Sequence, residues 1–279
     1  MSFICESIKL SLFENFLRIE EKSKATVEKY LRDVRAFFDY TRKKQVDKSV
    51  VLSYKTLLKE KYAVASANSM LAALNAFFRF IGEHALCVKQ FRMQKSAFCP
   101  AEKELSREEY RRLVATAAEK GNERLSLVMQ TICGTGIRIS ELPFVTVEAV
   151  RQGQATVACK GKCRQIFFVS ALRKKLLHYA KHQKITAGPI FVSKNGKPLN
   201  RSNVWKEMKA LCAAAGVSPT KVFPHNLRHL FARVFYGLEK DIVKLADILG
   251  HTSINTTRIY IISSGEAHRR SMEAMRLIL

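Results

Sequence analysis

Apolar residues recur at steps of three and four along most of the chain, the spacing that lines them up on one face of a helix. Val27, Tyr30, Leu31, Val34, Phe37, Phe38 and Tyr40 form the first clear stripe, and Ser23 just before it is placed as an N-cap. Leu52, Leu57 and Leu58 mark a second amphipathic run. A third starts at Ser66, puts Met70, Leu71, Leu74, Phe77, Phe78 and Ile81 on one face, and can close at Gly82. With a further helix near 9–20, the pattern predicts a small four-helix domain over residues 1–87.

The period is lost over 88–103, which contains Pro100 and reads as an inter-domain linker. A second domain then runs over 104–279. Ser106, followed by Glu108 and Glu109, offers a capped helix start, with Leu113, Val114 and Ala117 on the helix behind it. Another helix spans Leu125 to Cys133, and the Gly134-Thr135-Gly136 turn delivers Arg138 to the start of the next one. Segments 154–159 and 164–169 are β-rich and flank Lys160-Gly161-Lys162-Cys163, so they predict a hairpin with a lysine at its tip. Further helices are expected at 171–183, 201–215, 225–237, 240–249 and 254–260, and a terminal one at 266–279. The fold class is therefore mainly α with a small β-sheet, in two domains.

Charge changes the picture. Lys plus Arg number 48 against 24 for Asp plus Glu, a formal +24. Residues 1–103 hold 19 basic and 11 acidic residues (+8), and 104–279 hold 29 and 13 (+16). An excess spread over both halves fits a protein that surrounds a polyanion such as nucleic acid. In the first domain Lys24, Lys29, Arg32 and Arg35 fall opposite the apolar stripe, with Arg42, Lys43 and Lys44 following, and these are candidate DNA contacts. The seven cysteines are odd in number and irregularly spaced, and no secretory signal opens the chain. Free thiols in a cytoplasmic protein are the expectation, with no membrane span. Cys159 and Cys163 lack the second pair that a zinc site needs. No Walker A string or acidic two-metal cluster is present, so neither a nucleotide cofactor nor a catalytic metal is expected.

The residues that carry chemistry lie in three strings: G-T-G-I-R-I-S-E-L (134–142), P-H-N-L-R-H (224–229) and L-G-H-T-S-I-N-T-T-R-I-Y (249–260). Two arginines, two histidines and a tyrosine suit phosphodiester cleavage without a metal. A hydroxyl attacks phosphorus while fixed cations hold the charge that grows on the phosphoryl oxygens. Arg138 and Arg228 offer bidentate donors to those oxygens. Glu141, close to Arg138, is placed to orient it. His225 and His251 can donate or move protons near neutral pH, and His229 reads as structural. Tyr260 is the nucleophile candidate.

In order and spacing these strings resemble the signature of the tyrosine recombinase/integrase family, Arg…Lys…His-x-x-Arg…His…Tyr. S-x-x-T-x-x-x-Y-x-x-D (23–33) is similar to the second helix of that family's core-binding domain. The resemblance implies a helical, SAM-like core-binding domain and a mixed α/β catalytic domain closing on duplex DNA as a C-shaped clamp. It implies a 3′-phosphotyrosyl intermediate on Tyr260, with His225 accepting its proton or donating to phosphate and His251 holding a non-bridging oxygen. It also implies a lysine at a β-hairpin turn as general acid to the leaving 5′-oxygen. The family string resembles G-K-G-x-K-x-R, and here C-K-G-K-C-R (159–164) stands in its place. Lys160 takes the role, with Lys162 as the alternative, and Lys162 and Arg164 join the DNA-binding candidates. Family members act as tetramers on paired sites, through a Holliday junction, and can use a directionality or accessory protein. The early start of the bundle fits the short Xer or mobile-element type. A type IB topoisomerase or a non-catalytic DNA-binding regulator is the alternative. By the same resemblance helix 266–279, with Ala267, Ser271, Ala274, Met275 and Ile278 in one stripe, docks on a neighbouring protomer.

Overall fold

The computed structural model describes residues 3–41, 45–92, 104–159, 162–193, 195–251, 253–261 and 273–275; at 3–7, 158–159, 162 and 259–261 the description is of backbone only. The expected helix 266–279 and the tip residues Lys160 and Gly161 therefore fall wholly or mostly outside the described residues, as do Arg42, Lys43 and Lys44. The chain divides into two compact units, Met1–Lys95 and Ser96–Leu279.

The first unit holds helices α1 (Phe3–Ile19), α2 (Lys24–Thr41), α3 (Lys48–Lys61) and α4 (Val64–Phe80). Ser23 caps α2 as expected, its hydroxyl accepting from the Thr26 N–H. Asp47 does the same for α3 through the Val50 N–H. The core is aromatic: Phe13, Phe37, Phe77 and Phe78 are almost fully buried. Phe77 meets Phe13 and Phe38 edge to face at centroid distances of 5.3 and 5.4 Å, a geometry the ring quadrupoles favour. Two expectations change here. Leu52 is exposed, because the inward face of α3 is formed by Val51, Tyr54 and Leu58. Residues 88–92 are no linker but pack along α4. Asn75 exchanges two hydrogen bonds with the Val88 backbone (2.8 and 2.9 Å), and Asn68 does likewise with Phe91 (2.9 and 2.8 Å). Two asparagines seven residues apart share a helix face, and each amide supplies both the donor and the acceptor that an extended backbone needs.

The second unit runs α5 (Arg107–Glu119), α6 (Glu123–Thr135), α7 (Val147–Gln152), strands β1 (Gln154–Cys159) and β2 (Lys162–Phe167), then α8 (Ser170–His182), α9 (Arg201–Ala215), α10 (Pro224–Glu239), α11 (Ile242–Leu249) and α12 (Ile254–Ile261). Ser106 and Glu109 form the full capping box that the sequence suggests. The strands pair antiparallel in a register set by Cys159↔Lys162 and Val157↔Arg164. Hence two residues, rather than four, separate the strands, and Lys162 and Cys163 belong to β2. Ala155, Val157 and Ile166 point into the core beside Val128, Ile132, Ile137 and Leu227, so one face of the hairpin is fixed to the helices. Packing of α10 against α6 brings the 224–229 string to the end of α6 from which the 134–142 string emerges. No helix among the described residues is long and apolar enough to cross a membrane.

Candidate active site

Three chain turns present the charged residues. Helix α6 ends at Gly136 in the left-handed region (φ +66°), where a Cβ would stand 2.5 Å from the Phe231 ring. The chain can therefore pass tightly beneath α10 and leave Arg138 at the head of the 3-10 segment Ile139–Phe144. Helix α10 starts with Pro224, whose missing N–H costs nothing in the first turn. It carries His225 and, three residues on, Arg228. Helix α11 ends at Gly250 (φ +64°), and His251 follows.

Arg228 joins these turns. It is 1% exposed, and its guanidinium donates to the Gly136 carbonyl, to the Leu249 carbonyl (2.6 Å) and to His251 Nε2 (3.0 Å). A guanidinium only donates, so His251 Nε2 accepts and the ring proton lies on Nδ1. That proton goes to Thr257 Oγ1 at 2.8 Å. Thr257 is fully buried on α12, three residues before Tyr260. The backbone of Tyr260 is thus on the helix that His251 holds.

Arg138 is the outward member of the cluster, with its side chain 38% exposed. Its backbone N–H and its Nη1 donate to the two oxygens of Glu141, at 2.8 and 2.9 Å. Glu141 is buried and also receives Arg164 from β2. Burial pushes the Glu141 carboxyl up, but the Arg138 N–H and the two arginines outweigh it and hold the group below its ordinary value. Arg164, placed by sequence among the DNA contacts, is turned inward: its side chain is 9% exposed and it also donates to the Ile248 carbonyl. Lys29, in the first unit, is likewise held by Asp33 and by the Ser69 carbonyl. Lys24 and Arg32 are exposed.

Two cavities meet at Arg138 and Ser140. One, of about 540 Å³, is also lined by His225, Arg228, Ser202 and Trp205. The other, of about 830 Å³, takes in Glu141, Arg164, Gly250 and His251. The structure thus gathers Arg138, His225, Arg228 and His251 in one place. Lys160 lies outside the described residues, and of Tyr260 and Lys162 only the backbone is described. Thr257 and the inward role of Arg164 escaped the sequence reading. A hydroxyl six residues after a histidine is a signal only once the turn between them is known.

Burial first, then the nearby cations, depress the histidines. His251 is drawn down to about 4 by burial, Arg228, Arg138, Arg164 and His225. His229 falls to about 3 through burial, His225, Arg233 and Arg228; its ring stands edge-on to His225 at 4.9 Å. His225 is lowered by burial, Arg228 and Arg138. A base whose folded pKa is depressed adds stability above its unfolded pKa, near 6.5, and loses it as pH falls toward the folded value. The melting temperature of the free protein should therefore fall as pH drops from 6.5 to 4.5. His251→Asn should flatten that dependence, which scanning calorimetry over the pH series would read.

Comparison with known proteins bears on the same residues. The model of the phage integrase family matches residues 103–266, and that of the phage integrase N-terminal SAM-like domain matches 10–83. The chain is 29% identical over 284 residues to the tyrosine recombinase XerA of Pyrococcus horikoshii, covering 99% of this chain and 96% of the relative. Its fold is similar to a lambda integrase (75–356) dimer bound to a COC′ core site (TM-score 0.73, 19% identity, 91% of this chain and 94% of that one). It is similar also to a lambda integrase tetramer bound to a Holliday junction (TM-score 0.70, 20% identity, 91% and 76%).

Proposed function

Because this chain belongs to the phage integrase family, we propose that Arg138, Lys160, His225, Arg228, His251 and Tyr260 perform a single phosphodiester transfer, with Tyr260 as the nucleophile. The protein is a site-specific DNA recombinase that cleaves and rejoins DNA strands. The phenolic oxygen of Tyr260 bonds to phosphorus and gives its proton to His225. His225 is suited to accept it, since burial, Arg228 and Arg138 lower its pKa and so favour the uncharged ring. The bond from phosphorus to the 5′-oxygen breaks, and Lys160 supplies the proton to that oxygen. The 5′-hydroxyl of a second strand then reverses the step, so the bond energy is conserved and no nucleotide cofactor is used.

What supports this reading most is the tie that Arg228 makes between the Gly136 and Leu249 carbonyls and His251. Three guanidinium groups and two imidazoles accompany the carboxylates of Glu141 and Asp247 among the described residues there, an arrangement that still favours an anion. A phosphate entering beside them offsets the cations that depress His251. Its pKa rises, and once protonated, Nε2–H turns from the Arg228 donor to a non-bridging oxygen while Nδ1–H keeps Thr257.

Four protomers on two sites, exchanging strands through a Holliday junction in the cytoplasm, complete the proposal. Lys24, Arg32 and Lys162 act as phosphate contacts. A plasmid carrying two copies of a duplex selected by the protein from a random pool tests the whole. Recombinant circles are expected only when both copies are present. Relaxation of the site-free plasmid, without recombination, would instead make the protein a topoisomerase.

Lys160→Ala should slow cleavage by roughly 10²- to 10⁴-fold, the range for a lost general acid. With sulfur in place of the bridging 5′-oxygen, the loss should shrink to within about tenfold, because a thiolate leaves without a proton. Single-turnover rates on the two substrates measure this, and rescue of Lys162→Ala alone would move the role to Lys162.

A further inference from the structure

Glu141 is shared by two arginines of different standing. Arg138 is half-exposed and lines both cavities, whereas Arg164 is largely buried, lines only the larger one and donates as well to the Ile248 carbonyl. The fit around Arg164 is close: a Cβ at Gly250 would lie 2.4 Å from its Cδ, so glycine there leaves room for the arginine stem. One side chain thereby joins β2 to Glu141 on one side and to the end of α11, next to His251, on the other. It also divides the charge of Glu141. With Arg164 present, one carboxylate serves two guanidinium groups, and the cluster keeps a net positive charge. Without it the same buried carboxylate is left to Arg138 alone, which would be neutralised as an anion ligand. Loss of the Ile248 bond would at the same time loosen the turn that carries His251.

We propose that Arg164 is a positioning residue for the cleavage step: it holds Glu141 and the 248–251 turn so that Arg138 and His251 confront the scissile phosphate as unneutralised, correctly aimed groups. It acts from within the protein and does not touch DNA. The proposal rests on the reading of Arg138 as a phosphate ligand.

The test compares cleavage of a nicked duplex bearing the ordinary phosphodiester with one whose scissile group is a methylphosphonate. In both, the Tyr260 oxygen bonds to phosphorus and the 5′-oxygen leaves with a proton, but the methylphosphonate is neutral before attack and has one non-bridging oxygen for the cations to hold instead of two. The ratio of the two rates is internal to each preparation, so a smaller folded fraction cancels. Arg164→Ala should lose roughly tenfold or more on the phosphodiester, with the methylphosphonate rate within about threefold of wild type. Arg164→Ala should cost less in an Arg138→Ala background than in wild type, because part of its effect passes through Arg138 and only the hold on the His251 turn remains to be lost. Equal losses on the two substrates by Arg164→Ala, with a selective loss by Arg138→Ala, would overturn the proposal and leave the reading of Arg138 intact. No selectivity in Arg138→Ala would overturn both. Additive losses in the double variant would make Arg164 a direct phosphate ligand, also against the proposal.

Discussion

Tyr260→Phe should abolish the covalent protein–DNA adduct while leaving DNA affinity within a few-fold of wild type. The substitution removes one oxygen, the atom that bonds to phosphorus in the proposed scheme. Affinity depends on other groups. Lys and Arg outnumber Asp and Glu by 48 to 24 for a formal net charge of +24, and the release of counterions from phosphates dominates binding of this kind. A nicked substrate whose short fragment diffuses away after cleavage would trap the wild-type adduct on a denaturing gel. The variant should show none, with a gel shift at the same protein concentration as wild type.

Arg228→Ala should lose both the reaction and a large part of the stability of its unit. The Gly136 and Leu249 carbonyls, now bonded to a guanidinium that is 1% exposed, would be left buried without that donor. Each such group costs about 1–3 kcal/mol. Together with lost packing the sum is on the order of 3–5 kcal/mol, similar to breaking a buried ion pair. At about 2–4 °C per kcal/mol for a unit of this size, the melting temperature should fall by roughly 10 °C. His251 loses its Nε2 partner in the same step, and Gly136 loses the tie that fixes the approach to Arg138. Cleavage at 10 °C, where the variant remains folded, should still be down by about 10³-fold, since charge stabilisation and geometry fail together. A variant that melts like wild type and is only catalytically impaired would show that Arg228 serves the substrate and not the frame.

Much of this was legible in the chain because local chemistry agrees with the global fold. The stripe from Val27 to Tyr40, the Ser106–Glu109 box and the glycines after α6 and α11 each encode their own element. Of the residues in the three site strings, the fold brings Arg138, His225, Arg228 and His251 together. What the sequence hides depends on partners far along the chain. Leu52 has the residue type of a core position, but the rotation of α3 buries Val51 and Tyr54 instead. Residues 88–92 show no period because their partners are Asn68, 23 positions before Phe91, and Asn75, 13 positions before Val88. The hairpin register turned on a two-residue loop, which draws Lys162 and Cys163 into the strand. Arg164 reads as a surface cation in a basic string. Only the meeting of β2 with Glu141 and Ile248 turns it inward.

The most direct test of the account is to digest the trapped protein–DNA complex with trypsin and sequence the peptide left on the DNA by mass spectrometry. Cleavage after Arg258 and Arg269 places Tyr260 in a peptide running from Ile259. The account predicts a single nucleotide-bearing tyrosine, Tyr260, joined to a 3′-phosphate. Attachment at any other residue, or through a 5′-phosphate, would contradict it.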